Sequence, residues 1–162
     1  MSWSLLAFCA ANFVAAMSGG IFRPGAWYKS LNKPSWQPPD WLFAPVWFVL
    51  YGMIAAAGWM VWETAGWNGA MLAMMLYAVQ LVLNALWSAI FFGMRRMDLA
   101  LIEVAALWLS IAATIAAFWP IDTTAAYLMM PYLAWVSFAA FLNFTMVWLN
   151  PLNGQNRTPE QA

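Results

Sequence analysis

The sequence has no histidine, a single cysteine and very little charge, with Asp, Glu, Lys and Arg making up 7% of its 162 residues. The missing histidine removes the commonest metal ligand, the commonest general base and the commonest axial haem ligand. A lone Cys9 excludes an internal disulfide and a cysteine cluster. Ser, Cys and Lys side chains have no imidazole to activate them, and no two carboxylates are spaced for paired acid–base work. No catalytic residue and no metal ligand is therefore assigned. Six basic residues balance six acidic ones, so there is no basic footprint for nucleic acid. A soluble domain carries roughly a quarter charged residues, so water is not the main solvent of this chain.

What is present is apolar: 65% of the residues are hydrophobic and 13 are tryptophan. A helix crosses a bilayer with roughly 20 apolar residues. Five runs reach that length, at about 3–22, 42–62, 69–93, 99–119 and 124–149. The expected fold is an all-α integral membrane protein, one domain over 1–149 built as a five-transmembrane-helix bundle. The first run lacks a positively charged lead and is as long as a span, so it reads as a retained helix. Short breaks at Glu63–Asn68, Met94–Asp98 and Pro120–Thr123 make successive helices antiparallel neighbours. Residues 23–41 form the one long connection, a partly helical lid between helices one and two. Residues 150–162 are polar and read as a disordered tail.

Charge sets the expected orientation. Arg23, Lys29 and Lys33 lie in the first connection, Arg95 and Arg96 in the third, and Arg157 in the tail. With five spans all of them fall on one side. The positive-inside rule then puts the N-terminus outside and the lid and C-terminus in the cytoplasm. The apolar helices suit a bacterial cytoplasmic membrane rather than an outer membrane.

The stretch from Trp27 to Tyr51, WYKSLNKPSWQPPDWLFAPVWFVLY, holds four tryptophans, two lysines and four prolines. Pro34, Pro38 and Pro39 remove backbone donors and bias their predecessors away from helix. Trp27, Tyr28, Trp36 and Trp41 are rings of the kind that settle at headgroup level, with Lys29 and Lys33 beside them. Such a segment can simply anchor the chain. It can also cover a cavity, where aromatic planes next to cations suit a flat, anionic, aromatic ligand.

Polar residues inside the spans are few. Gln80, Asn84, Trp87 and Ser88 share one face of the third helix; Tyr132, Trp135, Ala139 and Asn143 share one of the fifth. Either Gln80, Asn84 and Asn143 bond between helices, or these faces line a tryptophan-walled cavity whose polar groups orient a ligand. Small residues at Ala7, Ala11, Ala15 and Gly19 form a packing stripe that could also serve a dimer. Glu103 is expected to reach back to the cytoplasmic surface near Arg95 or Arg96.

Three segments, Trp27–Tyr51, QLVLNALWSAIFFGMRRM at Gln80–Met97 and PYLAWVSFAAFLNF at Pro131–Phe144, resemble the translocator protein family. That family is also called the tryptophan-rich sensory proteins or peripheral-type benzodiazepine receptors, and the short chain resembles its bacterial members. The resemblance runs from Trp27 to Trp148. It implies a five-helix bundle, usually a homodimer, with a ligand cavity beneath the lid. It further implies binding of porphyrins such as protoporphyrin IX, of sterols and of isoquinoline or benzodiazepine-type drugs, with no obligatory cofactor. By this resemblance the ligand-binding residues are Trp27 and Tyr28 at the start of the lid, Trp47 of PVW, and Asn84 and Trp87 of the LN..W face. Trp135 after PYLA and Ala139 one turn on complete the matches, and Tyr132 is added as a ligand-binding candidate from its place on the same helix face. Without histidine, an iron-free porphyrin held by stacking fits better than ligated haem. The animal members' cholesterol pattern is incomplete here, because LNFTMVWLNP has Phe144 and no basic residue before Arg157.

Three functions follow as expectations. The first is a membrane receptor or transporter for porphyrins, acting in tetrapyrrole handling or stress regulation. The alternatives are an enzyme that degrades porphyrin with light and oxygen, and a structural membrane protein anchored by its aromatics. Expected partners are a flat hydrophobic small molecule, the lipid bilayer and a second copy of the chain.

Overall fold

In lipid an open strand or loop leaves backbone groups unpaired, so long apolar runs fold as helices. The computed structural model describes residues 2–151, and among them every regular element is helical. α1 spans Trp3–Ile21, α2 Ala26–Ser30, α3 Asp40–Ser88, α4 Met97–Phe118 and α5 Thr123–Leu149; a π-helical segment, Ala89–Gly93, follows α3. Four of these helices are long and apolar enough to cross a membrane: α1, α3 with its π segment, α4 and α5. Side-chain caps start two of them, Ser2 accepting from the Leu5 N–H and Asp122 from the Ala125 N–H. Arg157 and the tail beyond Pro151 lie outside the described residues.

α3 is not one straight rod. Its 49 residues would run about 74 Å if unbroken, against a hydrocarbon layer of about 30 Å. Gly66 (φ 59°, ψ −168°) and Ala70 (φ −124°, ψ 18°) leave helical geometry, and only glycine takes such a positive φ at little cost. Beyond this kink the chain returns along itself. Tyr77 Oη donates to the Ile54 carbonyl at 3.2 Å, and Tyr51 Oη donates to Asn84 Oδ1. The reversal that the sequence spreads over Glu63–Asn68 is concentrated at Gly66 and Ala70.

The two ends of the molecule differ in charge. At one end Ser4 Oγ donates to Glu63 Oε1 at 2.5 Å, placing the N-terminus beside the kink. At the other, Asn150 Oδ1 accepts from the Asn32 N–H and its Nδ2 donates to the Asn32 carbonyl, both at 2.9 Å. Asn150, assigned by sequence to the tail, is thus fixed between the lid and the end of α5. Arg23 and Arg95 share a cleft at this same end.

Ile54, Ala57, Val61, Ile111 and Phe118 fill the centre with no exposed surface. The periphery is just as apolar: Trp3, Phe48, Ile102 and Trp148 are 86, 82, 70 and 76% exposed, a surface that suits lipid and not water. Buried polar groups meet different fates. Asn12 Nδ2 donates to Tyr77 Oη at 2.6 Å. Asn143, oriented to satisfy both groups, faces the Met97 carbonyl at 3.2 Å and the Leu101 N–H at 3.1 Å. Gln80 departs from the interhelical reading, since it is fully buried and neither side-chain atom has a partner among the described residues. Glu103 does not reach the arginines either. It lies 9% exposed inside the bundle with neither oxygen bonded among the described residues, and Arg96 pairs with Asp98 instead, Nη2 to Oδ2 at 2.6 Å.

Candidate functional site

A cavity of about 820 Å³ opens beside the lid and is lined from α1, both halves of α3 with the π segment, α4 and α5, within the roughly 300–1,000 Å³ usual for small-molecule sites. Eleven of its lining residues carry aromatic rings. Trp47 comes from the start of α3, two residues after Pro45, which removes one helical donor there. Trp87 lies just before the π segment and stacks on Phe91 with centroids 5.0 Å apart. The π segment adds one residue to the turn, as π-bulges at functional sites commonly do. It turns Phe91 and Phe92 toward Tyr28, at 6.2 and 5.4 Å. Trp135 comes from α5 and meets Phe43 edge-on at 5.5 Å.

A polar rung crosses the cavity floor. Asn84 accepts from Tyr51 Oη and donates Nδ2 to Tyr132 Oη at 2.8 Å. One amide therefore ties both halves of α3 to α5. Two donors remain open, because the indole N–H groups of Trp87 and Trp135 are buried with no acceptor among the described residues. Both tryptophans line the cavity. Buried polar groups are nearly always paired, so these two are exceptions.

The lid is held from several directions. Gln37 Nε2 donates to Tyr28 Oη and to Asp40 Oδ1, each at 3.1 Å. Lys33 Nζ sits 3.9 Å from the centre of the Tyr28 ring, a cation–π contact. Trp36 stacks on Phe141 of α5 at 5.3 Å. Burial, and then the nearby Asp40 carboxylate, raise the Tyr28 phenol above its ordinary pKa, while the Gln37 bond opposes them.

Of the residues singled out by sequence, Tyr28, Trp47, Asn84, Trp87, Trp135 and Ala139 line this cavity. Tyr132 does not line it; fully buried, it supports Asn84 from behind. Trp27 faces a separate cleft with Arg23 and Arg95. Sequence reasoning missed Tyr51, Phe43 and Gln37. Tyr51 and Phe43 flank Trp47 at helical spacing, four residues to either side, which could have drawn them in.

Residues 4–149 match the family model described as the TspO/MBR family. The chain is 44% identical over 151 residues to a tryptophan-rich sensory protein of Cereibacter sphaeroides, covering 93% of this chain and 94% of that one. It is 45% identical over 152 residues to the tryptophan-rich protein TspO of Chlorobaculum tepidum, covering 90% and 96%. Identity to the translocator protein of Homo sapiens is 40% over 138 residues, covering 83% and 81%.

Proposed function

The chain belongs to the TspO/MBR family of membrane proteins, and from that premise we propose that it is a receptor or transporter for porphyrins such as protoporphyrin IX. The observation that carries this reading is a cavity of about 820 Å³ whose lining includes Tyr28, Trp47, Trp87 and Trp135. Ring faces there can stack on a flat macrocycle. The family resemblance points to the same ligand class, and to isoquinoline or benzodiazepine-type drugs as competitors. Sterols are a weaker expectation on the sequence grounds given above.

Five crossings are part of this proposal. The antiparallel halves of α3, bonded through Tyr77 and Ile54, divide it into two spans at Gly66. The lid, Arg95, Arg96 and the end of α5 then face the cytoplasm by the positive-inside rule, and a homodimer is the expected assembly.

The test is a titration of detergent-solubilised protein with protoporphyrin IX, following tryptophan fluorescence and the Soret band in darkness and then in light. Saturable quenching is expected. Trp135→Leu removes the aromatic face, and affinity should fall about fivefold, the weight of one aromatic contact near 1 kcal/mol. Absent quenching, or a Trp135→Ala variant that binds like the parent, would sink the proposal. Protein-dependent bleaching in light would favour the degrading enzyme over the carrier.

A further inference from the structure

The chain has a second concavity, of about 500 Å³, and its chemistry is different. It lies at the start of the lid, bordered by Arg23, Trp27, Ser30, Phe92 and Arg95. Phe92 lines this cleft and the aromatic cavity alike, so its ring is the partition between them.

A packing contact assembles the cleft. A Cβ on Gly93 would lie 2.8 Å from the Phe22 ring, so that ring rests on bare backbone. Arg23 follows Phe22, and Arg95 comes two residues after Gly93, so the same contact sets both arginines on the border of the cleft. Arg95 has φ 55°, and no other non-glycine among the described residues is positive. Such a conformation costs an arginine free energy that glycine would be spared. Strain of this kind gathers at ligand sites.

The arginines of this region are not equivalent. Arg96 is neutralised by Asp98 through two bonds, at 2.8 and 2.6 Å. Arg23 Nε caps the end of α1 by donating to the Gly20 carbonyl at 2.7 Å, which leaves its terminal nitrogens free. Among the described residues neither Arg23 nor Arg95 has a carboxylate partner. Two guanidinium groups facing one cleft without an anion repel each other, and planar forks of this kind match phosphate oxygens.

Position identifies the class of anion. Arg23 stands two residues past α1 and Arg95 two residues before α4, the level at which apolar spans give way to headgroups. Trp27 and Phe92 give the cleft an apolar side. We propose that this cleft binds the phosphate group of an anionic phospholipid, with Arg23 and Arg95 on the oxygens and Trp27 and Phe92 against the start of the chains. The inference stands apart from the porphyrin reading, because it uses a different cleft.

The test follows thermal unfolding of the full chain in detergent, with native mass spectrometry to count bound lipid. The probes are phosphatidylglycerol, phosphatidylcholine and inorganic phosphate. Phosphatidylglycerol should raise the midpoint by several degrees and saturate at about one lipid per chain, with phosphatidylcholine and inorganic phosphate having little effect. Arg23→Gln and Arg95→Gln should each weaken that response about tenfold, and Arg96→Gln should leave it unchanged. Arg95→Gly separates binding from folding: relieved of strain, it should unfold higher than the parent without lipid, yet lose the response to phosphatidylglycerol. Equal shifts from both lipids, or a retained response in Arg95→Gly, would overturn the proposal. An equal effect of inorganic phosphate would make this a free-phosphate site and overturn the lipid assignment. A matching loss of protoporphyrin affinity in Arg95→Gly would assign the cleft to porphyrin carboxylates, which also overturns it.

Discussion

A Cβ added to Gly58 would lie 2.7 Å from two carbons of the Tyr77 ring and 2.9 Å from the Phe8 ring. The two halves of α3 approach here as closely as backbone allows, and α1 closes the third side. Tyr77 cannot swing away, because its hydroxyl is held by Asn12 and by the Ile54 carbonyl. Gly58→Ala should therefore cost about 1–3 kcal/mol, the usual penalty for an overpacked core. Thermal unfolding in detergent reads this directly, and an unchanged midpoint would mean that the halves can separate freely.

Asn84 holds two tyrosines, and its removal strands both. Hydrogen bonds between membrane helices average near 0.6 kcal/mol and reach about 1.7, so Asn84→Leu should cost about 1–3 kcal/mol. Tyr132→Phe breaks one bond of the pair and should cost about half as much. Because Asn84 lines the cavity and Tyr132 does not, ligand affinity should fall in Asn84→Leu more than in Tyr132→Phe. Equal losses of affinity would place the ligand elsewhere.

How far this was legible in the sequence depends on the range over which each feature is encoded. Apolar runs reveal helices because span length is a local property. Asn84 and Trp87 could be placed on one face because helical periodicity is local too. Gln80 shares that periodicity, yet among the described residues it has no partner while Asn84 has two; only the facing helices decide that. Trp27 and Tyr28 are adjacent in the five-residue α2, where successive side chains diverge by about 100°. They therefore face different clefts, although the motif reads as one unit. The π segment shifts a hydrogen-bond register without any marker in composition. Asn32 and Asn150 are 118 residues apart, beyond any pattern in the chain.

That last pair acts as a latch on the lid. Asn150 bonds both the N–H and the carbonyl of Asn32, and also the Met146 carbonyl at 2.9 Å. Asn150→Ala should leave global stability within about 1 kcal/mol, since the residue is partly exposed and each bond is worth about that or less. Its effect should appear in dynamics. Amide exchange at Asn32 should speed up, and bound porphyrin should dissociate several-fold faster as the lid opens more often. If dissociation is unchanged while Asn32 exchanges faster, ligands do not leave beneath the lid.

Tyr28 gives the lid a dependence on alkaline pH. Tyr28 is 6% exposed, and its ring packs against Phe91 and Phe92. Burial first, and then the Asp40 carboxylate, raise its pKa above the ordinary 10.0. Above that ordinary value the unfolded chain has given up a proton that the folded chain still holds, so protonation favours folding less as pH climbs. Stability from this group is fully present below about pH 10 and is lost as pH rises through the folded value. Unfolding midpoints measured from about pH 9 to 12 should fall less steeply in Tyr28→Phe than in the parent. Lys33→Gln removes the cation–π contact to the Tyr28 ring and tests its share separately. Parallel curves for the parent and Tyr28→Phe would mean that this phenol ionises in the folded lid as readily as in the unfolded chain.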